Sequence, residues 1–268
     1  MKAIRIVALV FLAVVLAASL GANWLASAPY AEQFRDLPDA QPSAQHWLGT
    51  DDLGRDRFSR LLYGTRISLL LAPGAALLST ALAGTVGGVA GLAGGWIEAS
   101  VMAATDLVLS MPWLFLLIAV RAWLPLNVSP LFSVTITFAL LGCLGWAPAA
   151  RVVCADARTL RNSDFVLLAR GLGSGGFRLL WRHLLPNLRP VLAAQFWISI
   201  PVFILAEANL GILGLGVAEP LPSWGSLLRE LEGFSAYSAQ PWLFVPLILL
   251  VATVSSFQMV LQRQKGRP

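Results

Sequence analysis

Residues 67–93 read ISLLLAPGAALLSTALAGTVGGVAGLA, a run without one charged side chain. A helix needs about 20 apolar residues to cross the hydrocarbon core of a bilayer, so this run reads as a membrane span. Pro73 falls inside it, which a span tolerates where neighbouring helices re-satisfy the freed backbone groups. Small residues recur every four positions, Gly84 to Gly88, Gly87 to Gly91 and Gly91 to Gly95. That spacing lets helix backbones approach closely and leaves the packing partner open.

Five more apolar runs lie at about 4–25, 101–124, 131–150, 190–216 and 241–262. The composition agrees: 57% of the 268 residues are hydrophobic and 12% are charged, where soluble domains carry about 25% charged residues. The expectation is an all-α, polytopic membrane protein with about six transmembrane helices. In the first run, Lys2, Arg5 and the Ala26-Ser27-Ala28 triplet also fit a signal peptide. Its apolar centre is long for that, and the reading taken here is a retained span.

Net charge is +5. In a soluble chain that excess suggests nucleic acid; here the distribution points to positive-inside loops and no nucleic-acid partner. Segment 151–189 holds Arg151, Arg158, Arg161, Arg170, Arg178, Arg182 and Arg189 against Asp156 and Asp164. The tail adds Arg263, Lys265 and Arg267, and the start adds Lys2 and Arg5. Six spans put all three regions on one side, predicted cytoplasmic. The expected layout is a first transmembrane helix plus external loop over 1–66, a five-helix core over 67–262 with a cytoplasmic loop at 151–189, and a short cytoplasmic tail at 263–268. Loop 26–66 runs mildly against the rule, with five arginines beside six acids. Cys143 and Cys154 lie eleven positions apart, about 16 Å of helical rise and beyond disulfide reach, and read as small packing residues. The only histidines, His46 and His183, sit in different loops and no zinc pattern occurs.

Between the fourth and fifth runs, residues 169–187 read ARGLGSGGFRLLWRHLLPN. Gly171 to Gly176 formally match G-x-G-x-x-G, but no strand precedes them and no acid follows about twenty residues on, as a dinucleotide site needs. No P-loop occurs either. The stretch reads as short helix over 164–172, glycine break, then amphipathic helix over 177–185 ended by Pro186. Phe177, Leu180, Trp181 and Leu184 share one face at helical spacing, with Arg178, Arg182 and His183 elsewhere. Such a helix either lies on the membrane surface or docks a partner.

The longer stretch DFVLLARGLGSGGFRLLWRHLLPN (164–187) resembles the cytoplasmic EAA loop of ABC-transporter permeases. Ala169, Gly173, His183, Leu185, Pro186 and Asn187 occupy matching positions, while Leu167 and Leu168 stand where Glu and the first Ala are usual. HWLGTDDLGRDRFSRLLYGTRISL (46–69) resembles the external motif of the dipeptide, oligopeptide and nickel branch, carried by His46, Gly49, Asp51, Asp52, Gly54, Arg55 and Asp56. ATDLVLSMPWLFLLI (104–118) and ILAEANLGILGLGVAEPLPSWGSLL (204–228) are similar to two more elements of that branch, with Ile212 at a usually aromatic position. The tail after Pro241 lacks the branch's usual ending. The resemblance covers about residues 22–228 and implies the ABC importer type I permease fold, in a C-type inner-membrane subunit with both termini cytoplasmic.

It also implies a role and partners. This chain would bind no cofactor, because ATP would sit in two cytoplasmic ATPase subunits; a homologous second permease, an external solute-binding protein and membrane lipid complete the set. Ala169, Arg170, Gly171, Leu172, Gly173, Ser174, Phe177, Arg178, Trp181, His183 and Pro186 would dock the ATPase. Di- or oligopeptide is the expected solute, with nickel or another small solute as the alternative.

Asp106 and Glu207 fall within apolar runs, where a charge costs at least about 2.5–3.5 kcal/mol. Each either lines a translocation path or gate, or pairs helices. A membrane-embedded enzyme would need a nucleophile and base at one depth, and the acids within spans are scattered. A stand-alone secondary transporter would show internal repeats, and none is visible.

Overall fold

The computed structural model describes residues 2–123, 128–232 and 240–261. Among them there is no strand. The helices are α1 (Lys2–Leu20), α2 (Ala22–Leu25), α3 (Arg57–Ala93), α4 (Gly95–Ser110), α5 (Trp113–Ala122), α6 (Pro130–Leu144) and α7 (Ala147–Arg161). Then come α8 (Asp164–Gly171), α9 (Gly176–Arg178), a π-helical turn (Leu179–Leu184), α10 (Leu185–Ile212), α11 (Trp224–Arg229) and α12 (Val245–Leu261). Five helical segments are long and apolar enough to cross a membrane, or six if the bent pair α4–α5 is one span. The chain is an all-α, multi-pass membrane protein. The predicted tail 263–268 lies outside the described residues.

Four expectations change. The run 101–124 is not one straight helix: α4 and α5 meet at 82°. Met111 is extended (φ −77°, ψ 134°) ahead of Pro112, whose ring disfavours a helical residue before it. The helix expected from residue 67 begins at Arg57, because Asp56 caps it: its Oδ2 accepts from the Ser59 backbone N–H (2.7 Å) and hydroxyl (2.6 Å).

Pro186 ends nothing. Residues Gly176–Ile212 form one helical segment of 37 residues. In the π turn the Leu185 N–H reaches back to the Leu180 carbonyl, and Pro186, which has no N–H to donate, follows directly on this widened turn. The wider turn also rotates the face predicted at 3.6 spacing. Leu180 and Leu184 are buried with Leu179 and Leu188, whereas Phe177 and Trp181 are exposed, 78% and 53%.

The helices fall into two compact units. One comprises Met1–Ala72, Arg121–Phe138 and Pro201–Pro268; the other comprises Pro73–Val120 and Ala139–Ile200. In the first, α1 packs along α12, and Trp224, fully buried, donates from Nε1 to Thr65 Oγ1 at 2.9 Å. In the second, the glycine spacing of α3 finds its partner in α7. A Cβ at Gly87 would lie 2.5 Å from the Ala150 carbonyl oxygen, and one at Gly91 would lie 2.6 Å from that of Cys154 and from the Ala157 Cβ. Buried Cys154 is thus a packing residue, while Cys143 is exposed. Glu98 of α4 pairs with Arg158 (3.4 Å) and Arg161 (3.8 Å) of α7.

Candidate functional site

In the first unit, the sequence HWLGTDDLGRD folds into a tight set of turns. Asp51, fully buried, accepts from the backbone N–H groups of Leu53 (3.0 Å) and Arg55 (2.8 Å), so one carboxylate closes the turn. Gly49 (φ +70°) and Gly54 (φ +74°) are left-handed, and a Cβ on either would meet a carbonyl oxygen, of Ala40 or Phe34, at 2.2 Å. His46 Nδ1 lies 2.9 Å from Asp56 Oδ1, so Asp56 ties the turn set to the start of α3. Asp52 stands apart from this network and is exposed.

The first two turns of α3 carry Arg57 and Arg60, at the helix end where the dipole disfavours bases. Acids hold them there. Arg57 Nε pairs with Glu230 at 2.8 Å and Arg57 Nη2 with Asp39 at 3.2 Å. Arg60 reaches Asp51 (3.5 Å) and Glu219 (3.2 Å). Arg55 bridges Asp51 (2.7 Å) and Glu219 (2.5 Å). Burial alone would lower the Arg55 pKa; hydrogen bonds and charge from Asp51 and Glu219 outweigh it and raise it. Burial pushes the Glu230 carboxyl up, against the pull of Arg57.

Glu219 and Glu230 belong to the segment after α10. That helix ends in a Schellman motif: the Gly214 N–H bonds to the Gly211 carbonyl (3.0 Å) and the Leu215 N–H to that of Leu210 (2.8 Å). The chain then folds back so closely that a Cβ on Gly211 would sit 2.4 Å from Gly225 Cα, and one on Gly216 or Gly225 would sit 2.6 Å from Gly211 Cα. Arg121 braces the return: its Nε donates to the Leu215 carbonyl (3.0 Å) and its Nη2 to Ser133 Oγ (2.9 Å). Glu207 is buried beneath, with Ser68 Oγ donating to its Oε2 at 3.2 Å.

In the second unit, α8 also ends in a Schellman motif. The Gly173 N–H bonds to the Arg170 carbonyl (2.9 Å) and the Ser174 N–H to that of Ala169 (3.0 Å). Gly173 has φ +81° and nothing within 4 Å of an added Cβ, so backbone shape, not internal space, selects glycine there. Ala169 is buried, and Arg170 donates from Nη2 to the Leu92 carbonyl at 3.1 Å, fixing α8 to the end of α3. Leu167, Leu168, Leu172, Phe177 and Trp181 remain exposed, and the Phe177 and Trp181 rings are tilted at 47° with centroids 6.1 Å apart. Gly171 and Arg178 are exposed too, Ser174, His183 and Pro186 partly so. Asp106 lies on this unit's surface, 3.3 Å from Arg151, both side chains 56% exposed.

The sequence-predicted residues therefore separate into a buried charged network around residues 46–56 from which Asp52 stands apart, an apolar exposed ridge at 167–181, and two unlike acids, exposed Asp106 and buried Glu207. Arg57, Arg60, Arg121, Glu219 and Glu230 were not anticipated. Two bases in the opening turns of a helix are the one sequence signal for Arg57 and Arg60, since they require acids nearby.

The family described as "Binding-protein-dependent transport system inner membrane component" matches residues 83–264. A protein of Brucella suis biovar 1 described as a peptide permease is 36% identical over 221 residues, covering 82% of this chain and 70% of that one. The oligopeptide transport system permease protein OppC of Bacillus subtilis is 35% identical over 223 residues, covering 83% and 70%. The dipeptide transport system permease protein DppC of the same organism is 33% identical over 222 residues, covering 82% and 67%. The chain belongs to this family of inner-membrane transport components.

Proposed function

We propose that this member of the binding-protein-dependent transport family is the permease subunit of an ATP-driven importer of short peptides. Relatives named for oligopeptide, dipeptide and peptide transport support the solute class. The chain carries solute across the membrane and performs no covalent chemistry. Two ATPase subunits, a homologous second permease and an external solute-binding protein complete the complex. Both termini and the basic segment 151–189 face the cytoplasm, residues 26–66 face outside as a platform for a partner, and 67–262 carry the permease core.

The observation that carries this reading is the exposed apolar ridge on the basic segment. Leu168, Leu172, Phe177 and Trp181 present apolar surface flanked by Arg178 and Arg182. Large exposed apolar patches rimmed by polar groups mark protein or membrane contacts, and membership of a binding-protein-dependent transport family favours a protein contact here. With Leu167 and Leu168 in place of Glu-Ala, the contact with an ATPase rests on apolar burial. Trp181 belongs to the helical segment Gly176–Ile212, which is long and apolar enough to cross a membrane, so a partner docked there touches a spanning element directly.

The test is reconstitution. The chain co-purifies with an ATPase subunit, and vesicles holding the complex and its binding protein take up labelled Ala-Ala only with ATP. Uptake of nickel with no uptake of Ala-Ala would instead select the alternative solute. Reporters fused after Ala40 and after Arg161 read external and cytoplasmic; the reverse pattern overturns the orientation.

A further inference from the structure

A cavity of about 500 Å³ opens among the 39–60 turns and the 219–230 segment. Its walls carry acids and bases in equal number. Asp39, Glu219 and Glu230 are already paired with Arg55, Arg57 and Arg60. Two lining charges are not: Asp52 and Arg229, both exposed, make no hydrogen bond or ion pair with a described residue.

Arg229 is nevertheless held in place. Its Nη1 would lie 3.2 Å from a Cβ on Gly214, so the guanidinium rests on the bare turn that ends α10. The partial negative charge of a helix C-terminus favours a cation there. A second donor nearby is also unmet, since Arg57 Nη1 is buried without a hydrogen-bond partner.

This pair, unpartnered among the described residues, decides the ligand. A simple anion would match Arg229 and leave Asp52 unmatched; a simple cation would do the reverse. A molecule with an ammonium at one end and a carboxylate at the other satisfies both, through charge-assisted hydrogen bonds. A cavity of that volume is about 10 Å across, and an extended chain spans at most about 3.3–3.6 Å per residue, so two or three residues fit.

We propose that this cavity binds the free termini of a di- or tripeptide, with Arg229 taking the terminal carboxylate and Asp52 the terminal ammonium. This rests on the peptide reading above and adds a recognition site on the permease itself. The site would discriminate by termini and not by side chains, because Asp52 and Arg229 match only what every short peptide shares.

The experiment uses the assembled importer in nanodiscs without its binding protein, titrated with Ala-Ala, Ala-Ala-amide and N-acetyl-Ala-Ala by saturation-transfer NMR. The intact complex should bind Ala-Ala about tenfold tighter than either capped form, the worth of one charge-assisted bond. Arg229→Gln should abolish the preference over the amide and keep that over the acetylated form; Asp52→Asn should do the opposite. Arg229→Lys and Asp52→Glu should retain both preferences, which separates charge from folding. Equal binding of free and capped peptides by the intact complex overturns the site, as do neutral variants that keep both preferences. ATP-driven uptake of Ala-Ala with the binding protein present is measured in parallel. Uptake without discrimination at the cavity removes this site alone, whereas no peptide uptake removes the peptide reading and the site with it.

Discussion

Arg55 and Glu219 are 164 positions apart in sequence, and Arg55 Nη1 lies 2.5 Å from Glu219 Oε2. Glu219 also takes Arg60, and Asp51 faces both arginines from the buried side. Two guanidinium groups are therefore held between one buried and one half-exposed carboxylate.

The two acids should differ sharply in worth. Asp51→Asn leaves buried arginines under-compensated and should cost about 3–5 kcal/mol. Glu219, 54% exposed, is screened by water, and Glu219→Gln should cost about 1 kcal/mol or less. Unfolding of the detergent-solubilised protein measures both; equal losses would contradict the assignment of Asp51 as the organising group.

One helix offers the same substitution with opposite signs. Gly74 has nothing within 4 Å of an added Cβ, while at Gly91 that atom would meet the Cys154 carbonyl oxygen at 2.6 Å. Gly74→Ala should stabilise by up to about 1 kcal/mol through helix propensity. Gly91→Ala should destabilise by about 1–3 kcal/mol through overpacking against α7. Thermal unfolding of the two variants gives the comparison, and a stabilising Gly91→Ala would mean α3 and α7 do not touch there.

Gly173→Asp should insert normally and fail to drive uptake. The backbone at φ +81° costs a non-glycine residue on the order of 1 kcal/mol, and a carboxylate there would also stand in the proposed ATPase contact. Gly173→Asn, which tolerates the left-handed region, separates the two causes. If only backbone shape matters, the asparagine variant recovers ATPase pull-down and uptake; if the bare surface matters, it fails with the aspartate.

Glu230 gives a pH signature. Its folded pKa lies above the ordinary 4.5 because burial disfavours the carboxylate. The folded state thus binds the proton more readily, and this group's contribution to stability falls as pH rises from about 4.5 through the folded pKa. Glu230→Gln cannot ionise, so its melting temperature should gain on that of the parent across this window as pH rises. A gap that stays constant from pH 4.5 to 8 would remove Glu230 from the pH response.

Much of this architecture is legible in the sequence. Apolar runs gave the spans, and the four-residue glycine spacing of α3 gave a close-packed face, because both depend only on local period. The face of the 177–185 helix departs from 3.6 spacing for the opposite reason: the π turn over Leu179–Leu184 shifts the register, and no local period in the sequence marks it. The 82° bend at Met111–Pro112 carried a visible proline, but Pro73 sits in an unbroken helix, so the residue alone does not decide. The arginine–acid network was hidden by distance along the chain. Nothing local to Glu219 says which arginines will reach it.

The contact among Gly211, Gly216 and Gly225 limits how this protein can vary. Each would-be Cβ strikes backbone, so no rotamer change in a neighbour relieves it. Most core clashes can be repaired by a second mutation that trims the opposing side chain. Here the opposing residue is already glycine, and no smaller residue exists to substitute. A lineage that loses one of these glycines therefore has no single-step suppressor at the other two. Restoring the turn would take reversion or a change in loop length, so suppressor screens started from Gly211→Ala should return true revertants or insertions and deletions within 214–224.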